Sequence, residues 1–264
     1  MGGKDERGKM RETRGDVEAI IFDIGGTLRE RVADEPFQQR ATEQLLKLLG
    51  KPDAPPDYLD ELARRYAAYS EWAQERLIEL PEAEIWTRWV VPDLPREQVA
   101  PHAIELTTLW RNHWGRAVPR ADARPVIAEL HARGYRLGVI SNTTSSVDAP
   151  QSLEEYGLKP YFDIIILSAT VGRRKPAPEI FWQATRALGI APARCAYVGD
   201  RISRDVVGAR RAGLACAILI EARGSHTEPR DGAAPPDAII HSLSELLEIF
   251  PARRESGNRG KVGS

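Results

Sequence analysis

Cysteine is scarce in this chain. Cys195 and Cys216 are the only two among 264 residues, too few for a disulfide framework and at a spacing that matches no metal motif. That excludes a small disulfide-stapled scaffold and points to a reducing, cytoplasmic address. Long apolar runs are also lacking: none approaches the roughly 18 residues that a membrane span needs. Met1–Arg14 (MGGKDERGKMRETR) is crowded with charge and holds no apolar stretch, so no secretory signal is expected there. Glu6 stands where a myristoylation motif would carry Ser or Thr. An excess of one charge is missing as well. Lys and Arg total 37 against 38 Asp and Glu, for a net charge of −1. A partner bound by bulk electrostatics, such as duplex nucleic acid or an anionic membrane, is therefore not expected.

What is present is ordinary for a folded protein. Hydrophobic residues make up 42% and charged residues 28%, and the length allows one or two domains. Residues 1–15 and 252–264 are polar and Gly-containing, and both are expected to be disordered tails. Between them, Ala19-Ile20-Ile21-Phe22 is continuously apolar and stops at Asp23-Ile24-Gly25-Gly26-Thr27, which reads as a buried parallel strand.

Residues 30–118 have a different texture. Phe37, Ala41, Leu45, Leu48 and Leu49 recur at helical spacing before Gly50. Tyr58, Leu62, Tyr66, Tyr69, Ala73, Leu77 and Leu80 form a longer stripe that is expected to end at Pro81. Ile85, Trp86 and Trp89 mark a third helix, and Ala103–Trp114 a fourth. With no strand pattern evident, the segment is predicted to be an all-helical insert. Trp72, Trp86, Trp89, Trp110 and Trp114 all fall in it and are expected to build its core.

From Arg124 onward, helical and apolar segments alternate. Helices are predicted at Arg124–Arg133, Pro178–Leu188, Asp205–Ala212 and Ser242–Ile249. Strands are predicted at Arg136–Ile140, Ile164–Leu167, Cys195–Val198, Cys216–Ile220 and Ala238–Ile240. The expected fold class is α/β: a doubly wound, Rossmann-like parallel sheet formed by residues 16–29 and 119–251, with the helical insert between. Ligands of such sheets bind beyond the carboxyl ends of the strands. Those ends carry Asp23 with Gly25-Gly26-Thr27, Ser141-Asn142, Lys175 and Asp200, with Asp205 soon after.

This set suits phosphoryl transfer. A carboxylate such as Asp23 can attack phosphorus. Mg²⁺ accepts hard carboxylate ligands, which Asp23 and Asp200 can supply. Gly25 and Gly26 let backbone N–H groups approach phosphate oxygens. Ser141 can donate to the phosphoryl group, and Lys175 can offset charge on both reactants.

Four segments then resemble the motifs of the haloacid dehalogenase-like (HAD) superfamily. They are Phe22-Asp23-Ile24-Gly25-Gly26-Thr27-Leu28, Val139-Ile140-Ser141-Asn142, Gly172-Arg173-Arg174-Lys175-Pro176 and Val198-Gly199-Asp200-Arg201-Ile202-Ser203-Arg204-Asp205. The resemblance covers about Ala19–Phe250 and implies that the insert is a cap over the active site. It implies that Asp23 is the nucleophile and a metal ligand, and that the Gly25 carbonyl also binds metal. Ser141, followed by Asn142, matches the phosphate-binding position, with Gly26 and Thr27 nearby. Lys175 matches the motif-three lysine, Asp200 the metal-binding acid and Asp205 the acid that supports the metal site. The implied activity is that of a Mg²⁺-dependent phosphatase of a small phosphorylated metabolite.

One position departs from the pattern. Family phosphatases usually carry a second Asp, the general acid and base, where this chain has Gly25. Without it, poor leaving groups should react slowly, since such catalysis supplies roughly 10²–10⁴-fold. His102 and His113 in the insert are candidate replacements. Two other readings stay open: metal-independent attack of Asp23 on carbon, as in dehalogenation, and a non-catalytic phosphate-binding or interaction module. Substrate and oligomeric state leave no signature in the sequence.

Overall fold

The computed structural model describes residues 17–221 and 235–253. Most of the two expected tails lies outside them. Arg253, at the start of the second, is held by the core: its N–H donates to Arg133 O (3.0 Å) and its guanidinium reaches Glu18 (2.7 Å).

A six-stranded parallel sheet forms the centre. Its strands are β1 (Ala19–Phe22), β4 (Arg136–Ser141), β5 (Ile164–Leu167), β6 (Cys195–Gly199), β7 (Cys216–Ile220) and β8 (Ala238–Ile240), in the order β5-β4-β1-β6-β7-β8. β1 is buried at all four positions because helices cover both faces, which is why its sequence runs apolar without alternation. Ile20, Phe22, Val139 and Val198 face one layer, with Val126, Ile127 and Leu130 of α6 (Ala123–Ala132). Ile21, Ile140 and Tyr197 face the other, with Ile180, Phe181 and Leu188 of α9 (Pro178–Leu188). Each large apolar side chain so buried contributes roughly 1.5–3 kcal/mol. The chain winds outward from β1 in both directions, so the crevice for a ligand opens above β1, between β4 and β6.

Within the connection from β1 to β4, residues 30–118 pack around their own core of Leu45, Leu62, Tyr69, Trp86 and Trp110. They hold α1 (Glu35–Leu48), α2 (Asp57–Arg76) and α3 (Glu82–Ile85), which runs on as a π-helical turn at Trp86–Val90. Then come α4 (Arg96–Val99) and α5 (Ala103–His113). Asp34 caps α1 through the Phe37 N–H (3.2 Å).

Two expectations for this segment are corrected. It is not purely helical: β2 (Arg29–Val32) and β3 (Arg116–Pro119) pair antiparallel where the chain leaves and re-enters the core. Their charged, four-residue sequences carry no apolar pattern to announce a strand. Nor does the second helix run to Pro81. It stops at Arg76, with Leu77 left-handed at φ 54°. Beyond it Ile78 bridges to Arg173, and the Glu79 N–H donates to Gly172 O (3.2 Å). Tertiary pairing overrides the helical stripe. In the core, α7 (Asp148–Glu155) and the single-turn α8 (Ser168–Val171) also escaped the sequence reading. Among the described residues no helix is long and apolar enough to cross a membrane.

Candidate active site

Three strand ends and one helical turn build the site. Asp23 follows β1, with its N–H fixed to Val198 O (2.9 Å) and its side chain almost wholly buried. Ser141 ends β4 and is buried. Asp200 follows β6, and Asp205 lies in the π-helical turn Ile202–Val206 that leads into α10 (Val207–Arg211). Lys175 enters from the loop before α9 and is completely buried.

Lys175 is the hub. Its ammonium lies 2.8 Å from Asp23 Oδ1, 2.6 Å from Asp205 Oδ1 and 2.7 Å from the Tyr197 hydroxyl. Asn142 positions it: the Asn142 amide donates to Lys175 O (2.9 Å), and its oxygen accepts from the Lys175 N–H (2.8 Å). The Asn142 side chain therefore braces the lysine's backbone rather than reaching for phosphate.

Carboxylate oxygens of Asp23, Asp200 and Asp205 all lie within 4.8 Å of one another. As hard oxygen donors this set suits Mg²⁺. A guanidinium shares the space. Arg204 Nη2 is 2.9 Å from Asp200 Oδ1 and 3.3 Å from Asp23 Oδ2, and its Nε is 3.4 Å from Asp205 Oδ2. The donor set thus fits a cation once Arg204 stands aside.

The glycines divide in role. Gly26 has φ +81°, and a Cβ there would sit 2.4 Å from Asp200 Oδ2, so only glycine lets the acid approach this close. Gly25 is exposed, its φ is not left-handed, and nothing lies within 4 Å of where its Cβ would be. The N–H groups of Gly26 and Thr27 turn inward, donating to Arg29 O (2.8 Å) and Ile24 O (3.2 Å). Among the described residues the buried Thr27 hydroxyl has no hydrogen-bond partner. These two residues shape the turn and do not present donors to the cleft.

Electrostatics separate the acids. Burial disfavours the charged form of Asp23, but Lys175 and Arg204 outweigh it and hold the carboxyl below its ordinary value. Burial and the charge of Asp23 push Asp200 up to about 7, against the pull of Arg204. Arg204 stays charged: burial works against it, but Asp23, Asp205 and Asp200 raise its pKa further. Burial, with Asp205 and Asp23 beside it, keeps the Tyr197 phenol protonated.

Two cavities share Asn142 and Arg174 in their walls, and the three acids line neither. The one that borders the cluster, of about 460 Å³, is walled by Lys175, Arg201 and Arg204. The other, of about 590 Å³, is lined by Tyr66, Trp110, Trp114, Arg31 and Arg111. Trp114 stands 53% exposed at its edge and lines this cavity, outside the helical core that the other insert tryptophans help to build. His113 stacks on Trp110 and lies 2.7 Å from Thr42, His102 is exposed, and neither lines these two cavities.

Sequence reading missed Tyr197 and Arg204. Tyr197 sits in an apolar strand and reads as packing. Arg204 did carry a signal, a cation immediately before Asp205 and four residues after Asp200.

The family profile of the haloacid dehalogenase-like hydrolases matches residues 17–213. The chain is 33% identical over 131 residues to a glyceraldehyde 3-phosphate phosphatase of Methanopyrus kandleri, covering 50% of this chain and 56% of that protein. It thus spans little more than half the length of that relative. It is 30% identical over 241 residues to a phosphoglycolate phosphatase of Nitrosococcus oceani, covering 88% of this chain and 96% of that protein. The crystal structure of a HAD phosphatase from Thermococcus onnurineus superimposes with a TM-score of 0.57 at 27% identity, covering 90% of this chain and 100% of that one.

Proposed function

The chain belongs to the haloacid dehalogenase-like hydrolase family, and from that premise we propose that it is a phosphatase acting on a small phosphorylated molecule through an aspartyl-phosphate on Asp23. The observation that carries this reading is the buried Asp23 carboxylate held 2.8 Å from Lys175, itself a residue of the cleft wall with Arg201 and Arg204. In the first step an Asp23 oxygen forms a bond to phosphorus, and the bond to the leaving-group oxygen breaks. Lys175 offsets charge on nucleophile and phosphoryl group without moving, since four polar atoms hold it. Water then attacks phosphorus and frees Asp23.

Asp23, the Gly25 carbonyl, Asp200 and Asp205 would hold Mg²⁺. When bound, the ion would screen the carboxylate from the phosphate. Ser141 offers a hydroxyl to the phosphoryl oxygens. The aromatic cavity takes the leaving group, with Arg31 and Arg111 at its wall. The reading includes a cytoplasmic address, a small-molecule substrate and neither nucleic acid nor membrane as partner.

Gly25 sets the reactivity. No carboxylic acid stands there to protonate a departing alkoxide, so aryl and acyl phosphates react faster than alkyl phosphates. The test is a screen of phosphorylated metabolites with Mg²⁺, comparing wild type, Asp23→Asn and Gly25→Asp. Asp23→Asn should abolish turnover. Gly25→Asp, at a site with space and ordinary φ, should raise turnover of alkyl phosphates by up to roughly 10²–10⁴-fold. Activity that survives Asp23→Asn overturns the mechanism.

A further inference from the structure

We infer that Arg204 occupies the seat of a divalent cation among the catalytic carboxylates, so that a cation binds only when Arg204 withdraws. The inference rests on the reading of Asp23, Asp200 and Asp205 as the cation-binding set. Its warrant is the position of one guanidinium, which contacts an oxygen of each of the three acids, at 3.3, 2.9 and 3.4 Å. A dication and Arg204 would compete for the same Asp23 and Asp200 oxygens at a separation where like charges repel steeply.

Charge balance points the same way. Counted with all three carboxylates ionised, as a bound dication requires, the cluster with Lys175 and Arg204 in contact keeps one net negative charge. A dication added beside Arg204 would leave the cluster net positive. With Arg204 withdrawn, the same dication brings it to neutrality. The two arrangements are therefore alternatives, not partners.

Withdrawal has a route. The Arg204 side chain is 31% exposed and lines the 460 Å³ cleft that holds the phosphoryl group in this reading. Lys175 borders the same cleft, but its side chain is completely buried and tied to Asp23, Asp205, Tyr197 and the Ile140 carbonyl. Apparent cation affinity is lowered by the fraction of molecules in which Arg204 has left. Removing the guanidinium removes that penalty.

The test is calorimetric titration of Mg²⁺ and of Mn²⁺ into chelator-treated, substrate-free protein. Arg204→Ala and Arg204→Asn should each bind one cation at least tenfold more tightly than wild type. The gain should vanish when Asp200→Asn is added, which ties it to this site. Equal or weaker binding by either variant, shown to be folded by circular dichroism, overturns the inference. A measurement on the unaltered protein guards against misfolded variants. Phenylglyoxal labelling of Arg204, followed by peptide mass spectrometry, should increase when Mg²⁺ is added, and labelling that Mg²⁺ leaves unchanged overturns the inference as well. Neither readout involves turnover, so the phosphatase reading stands or falls separately, on Asp23→Asn.

Discussion

Arg174 and Lys175 are neighbours in the chain, yet each serves a different buried ionic cluster, and the two clusters are balanced differently. Arg174 pairs with Glu79, whose carboxylate also accepts from the Tyr69 hydroxyl and from Ser168 Oγ (2.8 Å). That cluster has one negative and one positive charge, and the Glu79 side chain is completely buried. Lys175 faces Asp23 and Asp205, with Asp200 and Arg204 alongside, and there negative charge is in excess. A balanced cluster locks structure, here the end of α2 against the loop before α9. An unbalanced one shifts pKa values and stands ready for an incoming ligand. The difference separates a fastener from the cluster that the proposed function makes a reaction centre, in two groups that look alike as lists of buried charges.

Three measurements would break or sharpen that contrast. The largest effect belongs to Lys175→Met. It strips the catalytic cluster of its buried cation and should cost about 3–5 kcal/mol in urea denaturation, along with turnover. Unchanged stability would mean that the three acids do not depend on the lysine. Glu79→Gln should cost less, about 1–3 kcal/mol, because the amide keeps its size and can still bond Tyr69 and Ser168. Its kcat should stay within about twofold of wild type. A selective loss of turnover would erase the distinction between the clusters.

The smallest effect is a pH dependence. Asp200 rises from the ordinary 3.8 to about 7 in the fold, so between those values the native state binds the extra proton. Stability attributable to Asp200 then falls as pH rises, by no more than about 1.4 kcal/mol per unit. Asp23, held below its ordinary value, acts with the opposite sign: its contribution is present above pH 3.8 and is lost as pH falls. In chelator, thermal melts from pH 6 to pH 7 should decline less for Asp200→Asn than for wild type. Parallel slopes would remove the claim that Asp200 is the poorly supported acid.

The pattern of success in the sequence reading has physical causes. IIIL, CAILI and AII are continuous apolar runs between turn residues, and β5, β7 and β8 occupy those bounds. Helix α9 opens at Pro178 and closes at left-handed Gly189, both local signals. The end of α2 was hidden because its left-handed residue is Leu77 rather than a glycine, and a bridge to Arg173 holds it there. Asp23, Lys175, Asp200 and Asp205 stood out as polar residues just beyond strands. Tyr197 did not, because alternate residues of a doubly covered strand are all apolar in appearance. Its hydroxyl finds Lys175 only through folding. The resemblance sets Asn142 and Thr27 near phosphate by position alone; folding adds that the Asn142 side chain braces Lys175 and that the Thr27 hydroxyl is buried in the turn.

The paired strands β2 and β3 carry a mechanical consequence. Outgoing and returning chain are bonded side by side over four residue pairs, from Arg29–Pro119 to Val32–Arg116. The helical segment thus hangs on a paired strap rather than on two independent strings. A paired strap bends across its width more readily than it shears, so any displacement of that segment is channelled into one arc. Arg29 roots the strap to Asp148 and Ser152 below, while Arg31, two residues on, grips the carbonyls of Arg111 and Gly115 above. Any displacement of the aromatic chamber's helical wall therefore pulls on the same short stretch of backbone, which begins six residues past Asp23.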